Sequence, residues 1–144
     1  AISSAICNSF KQELLVGTHN FTASSGNTFK IALYTSDASL GASTTAYSTS
    51  NEISNTSGSA YSAGGATLTS VTPVLSGSTA VCDFNDVSFT SASFTANGCL
   101  IYNDTQSDKA VAVIAFGGDK TVSSGTFTIQ FPAADASNAI IRLA

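Results

Sequence analysis

His19 carries the only imidazole in the chain, so any catalysis that needs a histidine has to use this residue. A Ser-His-Asp triad would set it between a serine and an aspartate, but the sequence contains no G-x-S-x-G turn to present a nucleophilic serine. A cysteine nucleophile beside His19 has no local signature either. We therefore expect no catalytic residues and no enzymatic activity, and predict that His19 is a hydrogen-bonded residue in the turn after a first helix.

The cysteines Cys7, Cys82 and Cys99 are widely separated, and their odd number suits neither a disulfide framework nor a zinc site. Free cysteines are among the most buried residue types in proteins. Buried free thiols are therefore the leading interpretation. A single bridge between Cys82 and Cys99 stays open as the alternative, because strand pairing can bring these two residues together.

Asp83, Asn85 and Asp86 form a short acidic run that suggests a calcium loop of the EF-hand type. That loop needs glycine at its sixth position and glutamate at its twelfth, where this chain has Ser88 and Phe94. A polar turn between strands is the leading interpretation, and a non-standard cation site is the alternative. We expect no metal site.

The run Gly117-Gly118-Asp119-Lys120-Thr121 resembles half of a phosphate-binding loop. The first glycine of that motif is absent, and the residues that follow have the pattern of a strand instead of a helix. The run is therefore predicted to be a hairpin turn, and we expect no cofactor.

A short helix is predicted over residues 3–16 of the chain. Ile6, Phe10 and Leu14 recur at helical spacing, with serines before them and a glycine after them. The apolar stripe of this helix either covers one end of the sheet core or docks on another subunit.

The rest of the chain has the alternating pattern of β-strands. Phe29, Ile31 and Leu33 would share one face of a half-buried strand, opposite a wet face with Lys30, Ala32 and Tyr34. The further strand candidates are 66–72, 79–84, 93–96, 99–102, 110–116, 126–131 and 139–143, with a hairpin loop at 103–108. This pattern predicts a single, mainly β domain over residues 1–144, built as an antiparallel β-sandwich or a jelly-roll-like barrel.

Residues 36–65 are mostly Ser, Thr, Ala, Gly and Asn, with Leu40, Tyr47, Ile53 and Tyr61 as the large apolar side chains. Loops longer than about 12–15 residues are uncommon in compact domains. The stretch is predicted to be a Ser/Thr/Gly-rich excursion laid over the domain or over a neighbouring molecule, with its aromatic residues as anchors. One or two weak edge strands without a partner are the alternative.

Short hydroxyl side chains occupy most polar positions, whereas only 10% of the residues are charged. Such a surface meets another protein without the repulsion or the ordering entropy that Lys and Glu bring. The formal net charge of −4 and the scattered basic residues argue against nucleic acid as a partner. No apolar run approaches the roughly 20 residues of a membrane-spanning helix, so we expect no membrane partner.

Several segments, spread over nearly the whole chain, carry a resemblance to a known family. They are 6–15 (ICNSFKQELL), 29–35 (FKIALYT), 64–68 (GGATL), 98–103 (GCLIYN) and 127–132 (FTIQFP). Together they resemble a family of small structural proteins encoded among the virion genes of tailed bacteriophages. The resemblance implies a component of the virion without fixing its position, and it carries over no catalytic residue.

The leading hypothesis is a non-enzymatic virion protein on the capsid surface that decorates or cements the capsid. Its expected partners are copies of itself, with a trimer as one symmetry, and a major capsid protein or another virion protein. Subunit contacts are expected at Phe10, Leu14, Tyr47, Ile53 and Tyr61.

Two alternatives stay open beside the capsid hypothesis. One is a tail, baseplate or fibre component of the same kind of particle. The other comes from a different class: a carbohydrate-binding β-sandwich module would stack sugar rings on exposed aromatic side chains. Its candidate platforms are Tyr34, Tyr47, Tyr61 and Tyr102.

Overall fold

The computed structural model describes residues 1–144 and shows a mainly β protein with one short helix. Its elements are β1 (Ala5–Ile6), α1 (Asn8–Leu15), β2 (Phe29–Tyr34), β3 (Ala66–Thr67), β4 (Ser70–Ser76), β5 (Thr79–Phe84), β6 (Val87–Asn103), β7 (Lys109–Ile129) and β8 (Ile141–Leu143). The larger antiparallel sheet has the order β1-β7-β6-β2-β3, and the smaller has the order β4-β5-β8. The predicted fold class is confirmed, and the two sheets are consistent with a β-sandwich.

The longest feature of the fold is the hairpin of β6 and β7, which contain 17 and 21 residues. The loop predicted at 103–108 joins them and is confirmed as a hairpin loop. Each of these two strands contains two of the shorter strands predicted from the sequence. The merged segments are 93–96 and 99–102 in β6, and 110–116 and 126–131 in β7, which ends at Ile129.

The hairpin turn predicted at residues 117–121 is wrong, because β7 continues through them. Ala115 pairs with Gly98 and Lys120 with Ala96, so residues 116–119 bulge out of the strand opposite Asn97. Positive φ angles at Gly117 and Gly118 let the chain leave the ladder and return to it. The glycines therefore bend a strand instead of ending it.

The core extends to both faces of β2, which corrects the prediction of a half-buried strand. Ala32 and Tyr34 were expected on a wet face, yet they are as buried as Ile31 and Leu33. The Tyr34 hydroxyl on this second face donates to the Ser48 carbonyl of the excursion (residues 36–65), and the Ile53 N–H of the excursion donates to the Leu33 carbonyl at the edge of β2. The excursion thus lies over its own domain, with isolated bridges in place of strands.

The helix begins later than the predicted 3–16, because residues 5–6 form β1 and pair with β7. Neither Ser3 nor Ser4 caps it: the N-cap is Cys7, which has no side-chain cap, and Ser4 Oγ accepts the Ala115 N–H at 2.9 Å. Phe10 is the buried residue of the helix and joins the core cluster. No helix in the chain is long and apolar enough to cross a membrane.

The contact between the excursion and β2 yields a test of the fold. Gly65 has a φ of +80°, and a Cβ added to it would overlap the backbone carbonyl of Ile31. We expect Gly65→Ala to lower the free energy of unfolding by more than about 3 kcal/mol, because positive-φ strain adds to the overlap. Urea unfolding followed by circular dichroism measures the change.

Gly58→Ala is the matched control, since its φ is +87° and a Cβ there would meet nothing within 4 Å. It should lose only about 1–2 kcal/mol from strain. Equal losses for the two variants would contradict the close approach of the excursion to β2.

Candidate functional site

The orientation of the Asn103 side chain fixes the state of the only imidazole. Asn103 is fully buried, and its Oδ1 accepts the backbone N–H groups of Thr105 and Gln106 at 3.1 and 3.2 Å. Its Nδ2 is therefore the end that faces His19 Nδ1, at 2.9 Å. An amide nitrogen only donates, so Nδ1 of the imidazole is the acceptor.

The proton of the neutral imidazole consequently lies on Nε2, which donates to Glu13 Oε1 at 2.9 Å. The His19 side chain has no exposed surface, and both ring nitrogens are engaged within the chain. Neither nitrogen is free to take a proton from a bound molecule. The prediction of a hydrogen-bonded residue after the first helix is confirmed.

The three cysteines are free thiols, and the alternative Cys82–Cys99 bridge does not form. Cys7 and Cys99 are buried as predicted, whereas Cys82 is half-buried. Burial raises the pKa of Cys7 and Cys82 to about 11 and that of Cys99 to about 12. Because the thiolate is the nucleophile, these values make all three thiols unreactive near neutral pH.

The acidic run at residues 83–86 serves the local backbone. Asp83 Oδ1 accepts the Phe84 N–H at 2.8 Å, and Asp86 Oδ1 accepts the Phe131 N–H at 2.9 Å. No group of three or more His, Cys, Asp or Glu side chains in the chain could hold a metal ion. The arrangement is that of a polar turn between β5 and β6.

Glu52 is the centre of a second polar network, which ties the excursion to the sheet. Its Oε1 accepts the Tyr47 hydroxyl at 2.7 Å, and its Oε2 accepts both the Tyr61 hydroxyl and the Gly64 N–H. Tyr61 in turn accepts the N–H of Leu33 in β2 at 2.9 Å. Both carboxylate oxygens thus bind the excursion to itself, and Tyr61 links them to the core.

All the tyrosines of the chain take part in this attachment. Tyr102 stacks on Tyr47 with ring centroids 4.6 Å apart, and its hydroxyl donates to the Gly64 carbonyl. The Tyr34 hydroxyl donates to the Ser48 carbonyl at 2.7 Å. Burial raises the pKa of every one of these phenols, and the Glu52 carboxylate adds to the rise.

Burial removes the sugar-stacking platforms expected on exposed tyrosines. Tyr34, Tyr61 and Tyr102 are 1–2% exposed, so none of them offers a ring face to a ligand. Tyr47 is half-buried and has one face covered by Tyr102. The carbohydrate-binding alternative therefore has no support from these side chains.

The side chains predicted to make subunit contacts need a similar correction. Phe10, Ile53 and Tyr61 lie in the core of their own chain, and the assignment of them to an interface is wrong. Leu14 and Tyr47 are half-buried against the same core. The apolar character of these side chains correctly indicates that they are covered, but the residues that cover them belong to the same chain.

An apolar groove with a volume of about 870 Å³ lies along β7. We call it the β7 groove. Most of its lining is hydrophobic, and the side chains that define its floor are half-buried. The principal ones are Ile6, Ile114, Phe116, Val122, Phe127 and Ile129.

The β7 groove runs along an open strand edge. β1 pairs only with Ala112 and Val113, and Ser4 Oγ caps the N–H of Ala115. From Phe116 to Ile129 the outer edge of β7 has no strand neighbour, although β6 pairs with it on the inner side. Backbone N–H and C=O groups on such an edge are available to another chain.

A smaller cavity of about 440 Å³ lies between α1 and the second sheet. Phe10, Leu14 and His19 line one side of it, and Cys82 and Leu143 line the other. Both ring nitrogens of His19 are already hydrogen-bonded within the chain, and the Cys82 thiol has a raised pKa. This cavity therefore presents apolar surface without a reactive group.

The apolar face of the β7 groove is visible in the sequence. Alternation over residues 126–131 places Phe127, Ile129 and Phe131 on one face of the strand and the threonines on the other. Periodicity does not reveal whether an apolar face is covered. In this fold it is left partly open.

No protein-family model matches the chain, and neither the curated proteins nor the solved structures give a significant match.

The Glu52 network predicts a loss of stability when its charge is removed. Glu52→Gln leaves one carbonyl oxygen to accept what two carboxylate oxygens accept, and hydrogen bonds to charged groups are worth about 1.5–3 kcal/mol. We expect the free energy of unfolding to fall by about 2–3 kcal/mol in urea titrations. Asp37→Asn, an exposed carboxylate in the same excursion, is the control and should change stability by less than about 0.5 kcal/mol.

The raised pKa values of the tyrosines predict a loss of stability in alkali. A phenol whose folded pKa lies above its unfolded value of about 10 stabilises the fold fully below that pH and progressively less above it. Tyrosinate absorbance should therefore appear together with loss of the β-sheet circular dichroism signal, well above pH 10. Ionisation of Tyr34 and Tyr61 near pH 10 in a folded protein would be incompatible with their burial.

Proposed function

We propose that this chain is a non-enzymatic structural protein that works by packing against other proteins, and that it decorates or cements the capsid of a tailed bacteriophage. The observation that carries the proposal is the β7 groove, where apolar surface and an unpaired strand edge coincide. Both features favour contact with another protein chain.

Further apolar side chains are exposed elsewhere on the surface. Leu75 and Leu143, on the second sheet, are 73% and 55% exposed, and Leu15, at the end of α1, is 89% exposed. A surface with several such patches gains free energy when a partner covers them, at about 25 cal/mol per Å² of apolar area. The hydroxyl-rich remainder of the surface adds little charge repulsion to such contacts.

The groups from which an active site could be built are used within the chain. His19 and Glu52 have their polar atoms bound to other residues, and the thiols are held in their protonated form. The hydrogen bonds of His19 and Glu52 attach loops to the sheets. This distribution of polar groups suits a protein whose task is to keep a shape.

The virion assignment is supported by the resemblance of segments such as 6–15, 29–35 and 98–103 to small phage structural proteins. A capsid protein present in many copies stabilises a shell by repeating one contact many times, so no single contact has to be strong. A tail, baseplate or fibre position would use the same surfaces and is the second candidate.

Quantitative analysis of purified particles tests this proposal. We expect the protein in intact virions at a copy number comparable to that of the capsid subunits, and particles lacking it should release their genome at lower temperature. Cryo-electron microscopy of the same particles locates the subunit. Complete absence from virions would refute the proposal, and a few copies confined to the tail would replace the capsid role with the second candidate.

A further inference from the structure

We propose that a second copy of this chain covers the β7 groove, by pairing residues 125–131 antiparallel with the same residues of the first copy across a two-fold axis at Thr128. This inference deepens the proposed function and rests on it, since it names the partner of the groove. It predicts a continuous sheet that runs through both copies.

The backbone of this segment is oriented for such pairing. The N–H of Phe131 points to the β6 side, where it donates to Asp86 Oδ1 at 2.9 Å. Phe131 lies two residues beyond the end of β7. When the alternation of an antiparallel strand is extended over Gln130 and Phe131, the backbone polar groups of Gln130, Thr128 and Thr126 point outward. Two copies related by a two-fold axis at Thr128 would exchange both backbone hydrogen bonds of that residue.

The side chains of residues 125–131 are self-complementary in this register. Phe127 of one copy lies opposite Ile129 of the other, on the apolar face that lines the groove. On the exposed face, Thr126 lies opposite Gln130. At the ends of the paired segment Phe131 lies opposite Gly125, which leaves room for the ring. A one-residue shift would set apolar side chains against the wet face.

Charge also favours a second copy as the occupant. The chain has a net charge of −4, so two copies repel wherever their carboxylates meet. Residues 121–131 contain no charged side chain, and Lys120 is the only charged residue that lines the groove. A strongly acidic or basic partner would find almost no opposite charge here, whereas an identical edge is electrostatically compatible.

The size of the surface approaches that of one side of a stable dimer interface. The paired segment would span about 23 Å at roughly 3.3 Å per residue. The groove beside it is lined by 18 residues, and stable interfaces use roughly 20–30 residues on each side. Two grooves that face each other across the axis would form one shared apolar core.

The other exposed apolar edge is less suited to pairing. β4 exposes Val71, Val74 and Leu75, but its register shifts between Val71 and Val74, and it contains Pro73. A proline lacks the N–H that a new strand would need, and a bulge turns an edge away from pairing. Residues 125–131 contain neither a proline nor a charge.

Cysteine cross-linking tests both the dimer and its register. At the two-fold axis the Cα atoms of the Thr128 residues would lie about 5.5 Å apart, within the range of about 4.4–6.8 Å that a disulfide requires. We expect Thr128→Cys to give a covalent dimer on mild oxidation. Thr126→Cys and Gln130→Cys should each stay uncross-linked, because identical residues would be offset by about 13 Å along the strand. A mixture of these two variants should cross-link.

The parent chain is the control for its own thiols. Cross-linking of Thr126→Cys alone to the same extent as Thr128→Cys would overturn the register, and no cross-linking by any variant would overturn the dimer. A variant without new thiols gives an independent measurement. Thr128→Lys sets two like charges at the axis and should weaken dimerisation at least tenfold in sedimentation equilibrium.

Thr95→Lys is the matched control for that variant. Thr95 is exposed on β6, and it contacts the Thr121 hydroxyl at 2.9 Å much as Ser88 contacts Thr128 at 3.0 Å. It lies away from the open edge and should leave dimerisation unchanged. Equal sedimentation of both variants as unchanged dimers would refute pairing at Thr128.

The outcome is separable from that of the virion experiment. A chain that is monomeric in sedimentation but abundant in virions would refute the dimer and assign the groove to another virion protein. A dimer with the predicted cross-links that is absent from particles would support the pairing and refute the virion role.

Discussion

The pairing of β6 with β7 is the interaction on which the rest of the structure depends. β2 attaches to the outer edge of β6, and β1 attaches to the outer edge of β7. The excursion is bound to the same hairpin, since the Tyr47 N–H donates to Asp108 and the Ala110 N–H donates to Thr45. The two long strands extend well beyond their neighbours, because β2 has 6 residues and β1 has 2. The open edge follows directly from this difference in length.

The part of the hairpin beyond β1 and β2 is held by aromatic packing in place of further strands. Phe94 and Phe127 have ring centroids 5.0 Å apart across the two strands, and Phe89 and Phe94 meet edge to face. Tyr61 of the excursion contacts both Phe89 and Phe94. The Glu52 network that fixes Tyr61 therefore also supports the far end of the hairpin, on the side opposite the open edge.

Sequence periodicity predicted the elements better than their surroundings. The pattern of two identified β2 and the strand segments of β6 and β7, and the spacing of Phe10 and Leu14 identified α1. It could not show that residues 36–65 would fold back over β2, because that contact depends on hydrogen bonds between side chains distant in sequence, such as Tyr61 and Leu33. For the same reason Tyr61 was mistaken for an interface residue.

Gly117 and Gly118 illustrate a second limit of local reasoning. Two adjacent glycines are typical of a turn, yet the same positive φ angles also form a bulge when the strands on both sides continue to pair with one partner. Whether they do depends on β6, whose residues 87–96 have an alternating pattern of their own. The choice between turn and bulge is made by the partner strand.

The edges of the two sheets differ in the protection that the sequence gives them. β3 and β8 are very short, and β4 contains a proline and a bulge, all of which hinder pairing with another chain. The segment from Gly125 to Phe131 contains no proline, although the register of β6 and β7 shifts on both sides of Gly125. It alternates large apolar residues with threonines and so has high β-propensity. A chain that leaves this segment unprotected would aggregate unless a specific partner covered it. A partner that covers this segment of β7 would therefore both keep the protein soluble and assemble it.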